Sequence, residues 1–410
     1  MTRAPFEKPM PIPDDLNPST HRPTWYGTPS GIQIVDFLAG QTHMYPPSYI
    51  KLLSSRTTVP YIHQPSEPGA DPRLIILASD DDTSRPKSSR GRPVDETYSS
   101  FDSKRQFMTT HGITCSVISL ANPWLDFVEP SSALSTAQEI NDDLERACAE
   151  NNSSPASKDV KLYAFGCLPL SAPAKDVVSE IQRLKTLRHV KGVIMGTTGL
   201  GNGLDDPALD DIYAALASTS TLVFLHPHYG LPDSAFGGPE VVAQFGHVLP
   251  LALGFPLETT IAVSRMYLSG VFDRHAKLEF LLAHSGGTLP FLAGRIESCV
   301  AHEREFIANG GHRQGPQRSI WDVLQSNIYL DAVIYGQPGL KAAIEAAGSV
   351  DRVMFGTDHP FFPPLGDEED AKWLSVESNK VAIGGCFPQD QDARRKILGG
   401  NAVRVLGLDV

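Results

Sequence analysis

The stretches TLVFLHP (221–227) and LEFLLAHS (278–285) decide how this chain folds. Each is a near-continuous apolar run with a histidine at its C-terminal end. A strand with one wet face alternates apolar and polar residues, whereas a strand covered on both faces reads as a continuous run. Both stretches therefore predict buried parallel strands. Six further runs share the pattern: IQIVDFLA (32–39), CSVISLA (115–121), LYAFGCLP (162–169), VKGVIMGT (190–197), NIYLDAV (327–333) and VMFGTDH (353–359). Helix-length segments lie between them. VVSEIQRLKTL (177–187) has amphipathic spacing, PALDDIYAALAST (207–219) opens on Pro207, and ETTIAVSRMYLSGVF (258–272) and LPFLAGRIESCVAHE (289–303) continue the series. The expected class is α/β, a (β/α)8 TIM barrel, because eight such units close naturally on themselves. A doubly wound open sheet is the alternative; no GxGxxG follows the first run, which weighs against it.

Two regions fall outside this rhythm. Residues 1–31 carry seven prolines and no periodicity, so a disordered N-terminal tail is expected ahead of a barrel spanning 32–410. Residues 51–110, with the polar tract SDDDTSRPKSSRGRP (79–93), are too long for a simple loop and predict an inserted arm or lid after the first strand.

Composition narrows the function classes. Of 410 residues 41% are hydrophobic, the mean hydropathy is −0.16 and the net charge is −12, which fits one sizeable core. An acidic chain without basic clusters argues against nucleic acid as a partner. No run of about 18 apolar residues supports a membrane span, and the N-terminal stretch shows no apolar signal core. The five cysteines (115, 148, 167, 299 and 386) form no CxxC pair and read as reduced core thiols of a cytoplasmic protein.

The polar residues that interrupt the runs sit at their C-terminal ends: His43, Asn122, His226 with His228, His284, and Asp358 with His359. In a parallel barrel those ends share one face, where active sites of such barrels lie. A lone strand histidine is usually a hydrogen-bonded core residue. Several histidines and one aspartate at the same end instead suit a single divalent metal such as zinc or manganese. The glycine-rich GTTGLGNGLDD (196–206) lacks the GK[ST] end of a phosphate loop and reads as a flexible connection. No G-x-S-x-G elbow appears. Arg295 in GRIES stands open between an anion anchor and a surface arginine, and Trp124 and Phe361 between core and pocket wall.

QTHMYPPSYI, SVISLANPW, FLHPHYGLP, LLAHSGGTLPFLAGRIES, YLDAVIY and FGTDHPFFPP together resemble the amidohydrolase-related decarboxylases, the aminocarboxymuconate semialdehyde decarboxylase-like family, and most of all its fungal uracil-5-carboxylate (isoorotate) branch. The likeness covers nearly all of 32–410. It implies a carboxy-lyase acting on a planar aromatic or heteroaromatic acid, uracil-5-carboxylate or a hydroxybenzoic acid such as orsellinic acid, with one zinc or manganese ion and a homodimeric assembly. It assigns metal ligation to His43, His226 and Asp358, proton handling to Asp358 and His284, and substrate contacts to Arg73, Asn122, Arg295 and Phe361. One departure stands out. The family reads D-x-H-T-H after its first strand; this chain reads VDFLAGQTH (35–43), so Gln41 replaces the first histidine and Asp36 is displaced by three residues. A glutamine oxygen is a weaker ligand than imidazole for zinc-like metals. A mis-chosen splice junction, a weakened site using Gln41 or water, and lost catalysis all remain open at this point. A hydrolase on the same barrel is the rival chemistry.

Overall fold

The structure is a computed structural model that describes residues 34–36, 44–198, 201–308, 315–364 and 372–409. The expected tail at 1–31 lies outside the described residues. Eight strands form one sheet in chain order, every neighbouring pair parallel: β1 (Ile34–Asp36), β2 (Ile113–Ile118), β3 (Lys161–Cys167), β4 (Val190–Gly196), β5 (Val223–His226), β6 (Phe280–Leu282), β7 (Ile328–Asp331) and β8 (Val353–Met354). Each falls within, or overlaps, one of the eight apolar runs, and their described side chains are almost all buried. With helices between successive strands, this is a (β/α)8 barrel. The segment Lys396–Gly400 packs against both β1 and β8, and Ile397 accepts a backbone hydrogen bond from Phe355 at 2.8 Å, so the chain's end seals the seam between first and last strands.

The helices follow the amphipathic segments. Ala174–Leu184 buries Val177, Ile181 and Leu184, the i, i+4, i+7 stripe read from the sequence. Leu289–Ala308 buries Leu289, Ala293 and Val300. Among the described residues no single helix is long and apolar enough to cross a membrane. Of the five free cysteines Cys115, Cys148 and Cys167 are buried, but Cys299 is exposed, so the core-thiol expectation fails there.

The long excursion after β1 is ordered. Helix Pro47–Ser54 leads into a three-stranded antiparallel sheet of Tyr61–His63, Arg73–Ile75 and Arg92–Pro93. The polar tract is held down by Arg90 Nη1 on Asp81 at 2.6 Å and by Tyr61 Oη on the same carboxylate at 3.0 Å. The arm ends earlier than 110: Ser100 caps a regular helix, Phe101–His111, that stops at left-handed Gly112 and feeds β2.

Candidate active site

The C-terminal ends of β2, β5, β6 and β8 deliver Asn122, His226, His284 and Asp358. The His226 and His284 rings lie 5.0 Å apart between centroids, and His284 Nε2 is 4.0 Å from Asp358 Oδ1. His284, Asp358 and Phe361 line one cavity of about 550 Å3, together with Val333, Tyr335 and Phe255.

Backbone geometry at this end of the barrel is unusual. His284, Ser285, Gly286 and Gly287 all have positive φ, at 53°, 52°, 74° and 67°, and Tyr335 and Asp358 follow at 57° and 60°. A left-handed non-glycine residue costs roughly 1–2 kcal/mol, so these conformations persist only where the surroundings impose them. Gly287 is required sterically as well, since a Cβ there would lie 2.0 Å from the Pro256 carbonyl oxygen. The buried Asp331 carboxylate ties the turn down. It accepts from the backbone N–H groups of His284 (3.0 Å), Ser285 (2.7 Å) and Val333 (3.0 Å). Ser285 Oγ donates to the Asp331 carbonyl at 2.6 Å.

The electrostatics separate the groups. Burial, with His284 adding to it, holds the His226 imidazole well below its ordinary range, so it is neutral; its Nδ1–H donates to the Pro227 carbonyl at 2.6 Å. Burial opposes charge on His284 too, but the adjacent Asp358 carboxylate outweighs it and raises His284 above the usual imidazole value. Desolvation pushes Asp331 up to about 7. Tyr335 Oη donates to Asp358 Oδ2 at 2.8 Å, whereas Asp358 Oδ1 is buried without a hydrogen-bond partner.

The other expected residues divide. Asn122 and Phe361 are at the site; Arg73 and Arg295 are not. Arg73 directs Nε to the Arg90 carbonyl (2.9 Å) and Nη2 to that of Gly91 (2.6 Å), so its guanidinium braces the arm. Arg295 is exposed and lines a second cavity with Leu292, Ile296 and Cys299. His43 and Gln41 lie outside the described residues. Among the described residues no group of three or more His, Cys, Asp or Glu side chains is arranged to hold a metal ion; two expected ligands, His226 and Asp358, are described. His228 and His359 are packing residues. The first donates Nδ1–H to the Thr198 carbonyl at 2.8 Å, and the second lies against Phe107 and Trp373, with ring centroids 3.7 and 4.4 Å away. Trp124 is buried against His226 and His228.

Sequence reasoning missed Arg92, Tyr335 and Asp331. Arg92 Nη2 donates to Tyr45 Oη (2.5 Å), the Asn122 carbonyl (2.8 Å) and Asn122 Oδ1 (3.1 Å), all neutral acceptors. Its guanidinium carbon lies 5.2 Å from the Phe361 ring centroid, and its buried Nε has no hydrogen-bond partner. A cation so placed, with a donor to spare beside Phe361, is suited to a planar anion.

The amidohydrolase family model matches residues 141–408. The crystal structure of Metarhizium anisopliae IDCase, an isoorotate decarboxylase, in apo form is 49% identical and superposes with a TM-score of 0.82, covering 92% of this chain and 98% of that one. The 2-amino-3-carboxymuconate-6-semialdehyde decarboxylase of Dictyostelium discoideum is 28% identical over 283 residues, 69% of each chain. A dihydroxybenzoic acid decarboxylase from Polaromonas sp. JS666, solved with bound manganese and 2-nitroresorcinol, shares the fold at 23% identity, with a TM-score of 0.60 over 76% of this chain and 87% of that one. The matched model takes in β3 to β8 and every described histidine and aspartate of the site, and on that match the chain belongs to the amidohydrolase family.

Proposed function

We propose that this protein is a metal-dependent, non-oxidative decarboxylase, a carboxy-lyase that removes CO2 from a planar aromatic or heteroaromatic carboxylic acid. One observation carries the reading: Asp358, 2% exposed, stands between His284 and Tyr335 on the cavity that Phe361 also lines. That is an acid–base pair on a cavity walled mostly by apolar side chains, with the Arg92–Asn122 pair beside Phe361 to hold an anion.

The residues fit a divalent ion, read as zinc or manganese. The orphaned Asp358 Oδ1 and the neutral His226 imidazole are suitable donors, with His43 and Gln41 as the further candidates. When bound, the ion supplies Lewis-acid polarisation of the substrate's oxygens. The protein's own groups account for the rest. Arg92 and Asn122 fix the polar edge of the acid, and Phe361 covers its ring face. Asp358 transfers a proton from its carboxyl to the ring carbon bearing the carboxylate, which becomes tetrahedral. The C–C bond then breaks, CO2 leaves, and the bonding pair returns to the ring, restoring its conjugation. His284 Nε2, whose protonated form the neighbouring Asp358 carboxylate favours, returns a proton to that carboxylate.

Uracil-5-carboxylate, orsellinic acid and related hydroxybenzoic acids are the substrates to screen, by CO2 release and by product mass in deuterated water. One deuterium at the vacated ring carbon, without oxygen uptake, is the expected result. Turnover of esters or amides without CO2 would establish the rival hydrolase. We read the protein further as a cytoplasmic homodimer. Its five free cysteines suit a reducing compartment, and Phe291 and Phe306, 84% and 68% exposed on helix Leu289–Ala308, suit self-association. Light scattering across a dilution series tests the assembly.

A further inference from the structure

We infer that Asp331 is a positioning residue for the proton-handling pair, holding the His284 imidazole against Asp358 by clamping the left-handed turn His284–Ser285 to the end of β7. The inference rests on the decarboxylase reading for its consequence, but the clamp itself is geometric.

The shape of this turn is tied to Asp331. Two consecutive non-glycine residues adopt positive φ immediately after β6, which L-residues rarely do together. A single carboxylate, fully buried, accepts both of their N–H groups, one on each oxygen, and adds that of Val333. No cation is needed to account for its position, because three amide dipoles converge on it. The same carboxylate therefore fixes two loops of the site: the one bearing His284, and the one running through Val333 to Tyr335, whose hydroxyl grips Asp358 from the other side. Asp331 does not line the cavity, so it touches no substrate. It acts through where it puts other groups.

Replacement by Asn keeps the shape but turns one oxygen into an NH2 group facing an amide N–H. The turn then loses one acceptor and gains a repulsive contact. Asp331→Asn should lower kcat at least tenfold while KM stays within about threefold, because only the proton-handling geometry is disturbed. In a His284→Gln background the same replacement should have no further effect on kcat, whereas a merely structural role would produce additive losses. Hydrogen–deuterium exchange of the 283–288 backbone supplies a readout independent of activity: the Asn variant should exchange faster there and at wild-type rates in the strands. Should the single variant not fold, the comparison is made in a Ser285→Gly background, where glycine accepts the 52° φ without strain.

Unchanged exchange at 283–288 overturns the clamp. Faster exchange with unchanged kcat, or additive losses in the cycle, overturns the positioning role. If the wild-type protein releases CO2 from none of the acids screened, the decarboxylase reading fails, and the exchange experiment still decides whether Asp331 holds the turn.

Discussion

Replacing Arg92 is the sharpest test of how the site holds its substrate. The side chain makes three hydrogen bonds, all through Nη2 and all to neutral oxygens of Tyr45 and Asn122, and its buried Nε makes none. A hydrogen bond to a charged group contributes about 1.5–3 kcal/mol, which at about 1.36 kcal/mol per decade corresponds to a roughly 10- to 150-fold change in binding. Arg92→Lys keeps the charge but not the planar fork, and Arg92→Met removes both. KM for CO2 release should therefore rise roughly tenfold in the first and by about 10²-fold in the second, with kcat within about threefold of wild type. Arg92→Met also strips a donor from Tyr45 and Asn122, so melting curves must accompany the kinetics, and rates are compared well below the transition. Arg73→Met is the control. Its guanidinium is committed to the Arg90 and Gly91 carbonyls, so KM should not move beyond what any loosening of the arm produces. A normal KM in Arg92→Met, or a raised KM in Arg73→Met alone, would refute the assignment.

Three further outcomes are expected. Asp358→Asn should keep acid binding yet lose turnover by about 10²-fold or more, measured as CO2 release at saturation; near-normal turnover would remove Asp358 as the proton donor. Chelation followed by dialysis should abolish CO2 release, and added manganese should restore it; full activity in protein shown by elemental analysis to be free of metal would contradict the metal-dependent reading. The third outcome concerns stability. His111, 4% exposed, donates Nδ1–H to the Phe107 carbonyl (2.9 Å) and accepts the Trp373 N–H at Nε2 (3.1 Å), and burial lowers it to about 4. Its folded value lies below the unfolded one, so the unfolded chain binds more protons in between, and this contribution is intact above about 6.5 and lost as pH falls towards 4. Denaturant titrations at pH 7 and pH 5 should therefore show His111→Gln losing less stability on acidification than wild type, by up to about 1.4 kcal/mol per pH unit. Equal slopes would mean that His111 is not neutral in the native state.

The barrel was legible because of how its strands are covered. A strand buried on both faces has to be apolar throughout, so TLVFLHP and LEFLLAHS announce β5 and β6 without any alternation to decode. The strands are shorter than the runs, three residues in β6 and four in β5, because the last residues of each run have already turned out of the sheet to carry the chemistry. His284, Asp358 and Asn122 were visible for that reason, and His226 as the last residue of β5 itself. The arm was legible only as length. Its strands have two or three residues, too few for a period of two to declare itself against a polar background.

Choosing between Arg73 and Arg92 depended on pleat parity, which one sequence does not reveal. In the antiparallel pair Leu74 stands opposite Arg92 and Arg73 opposite Pro93, and residues directly opposite share a face of the sheet. Leu74 is buried and Pro93 is exposed, so the register alone sends Arg92 inward to Asn122 and Phe361 and leaves Arg73 to brace the backbone. A slip of one residue would exchange the two. Helical phase decides Arg295 in the same manner. Ala293 is on the buried stripe of its helix, and two residues further on is about 200° around the axis, which places Arg295 in solvent and away from Asp358. Asp331 marks a different boundary. Its partners are the backbone N–H groups of His284 and Ser285, 47 and 46 residues away. Every residue except proline carries such a group, so no side-chain pattern could have identified those two. What fixes the site's geometry is thus partly written in backbone, and only a structure can expose it.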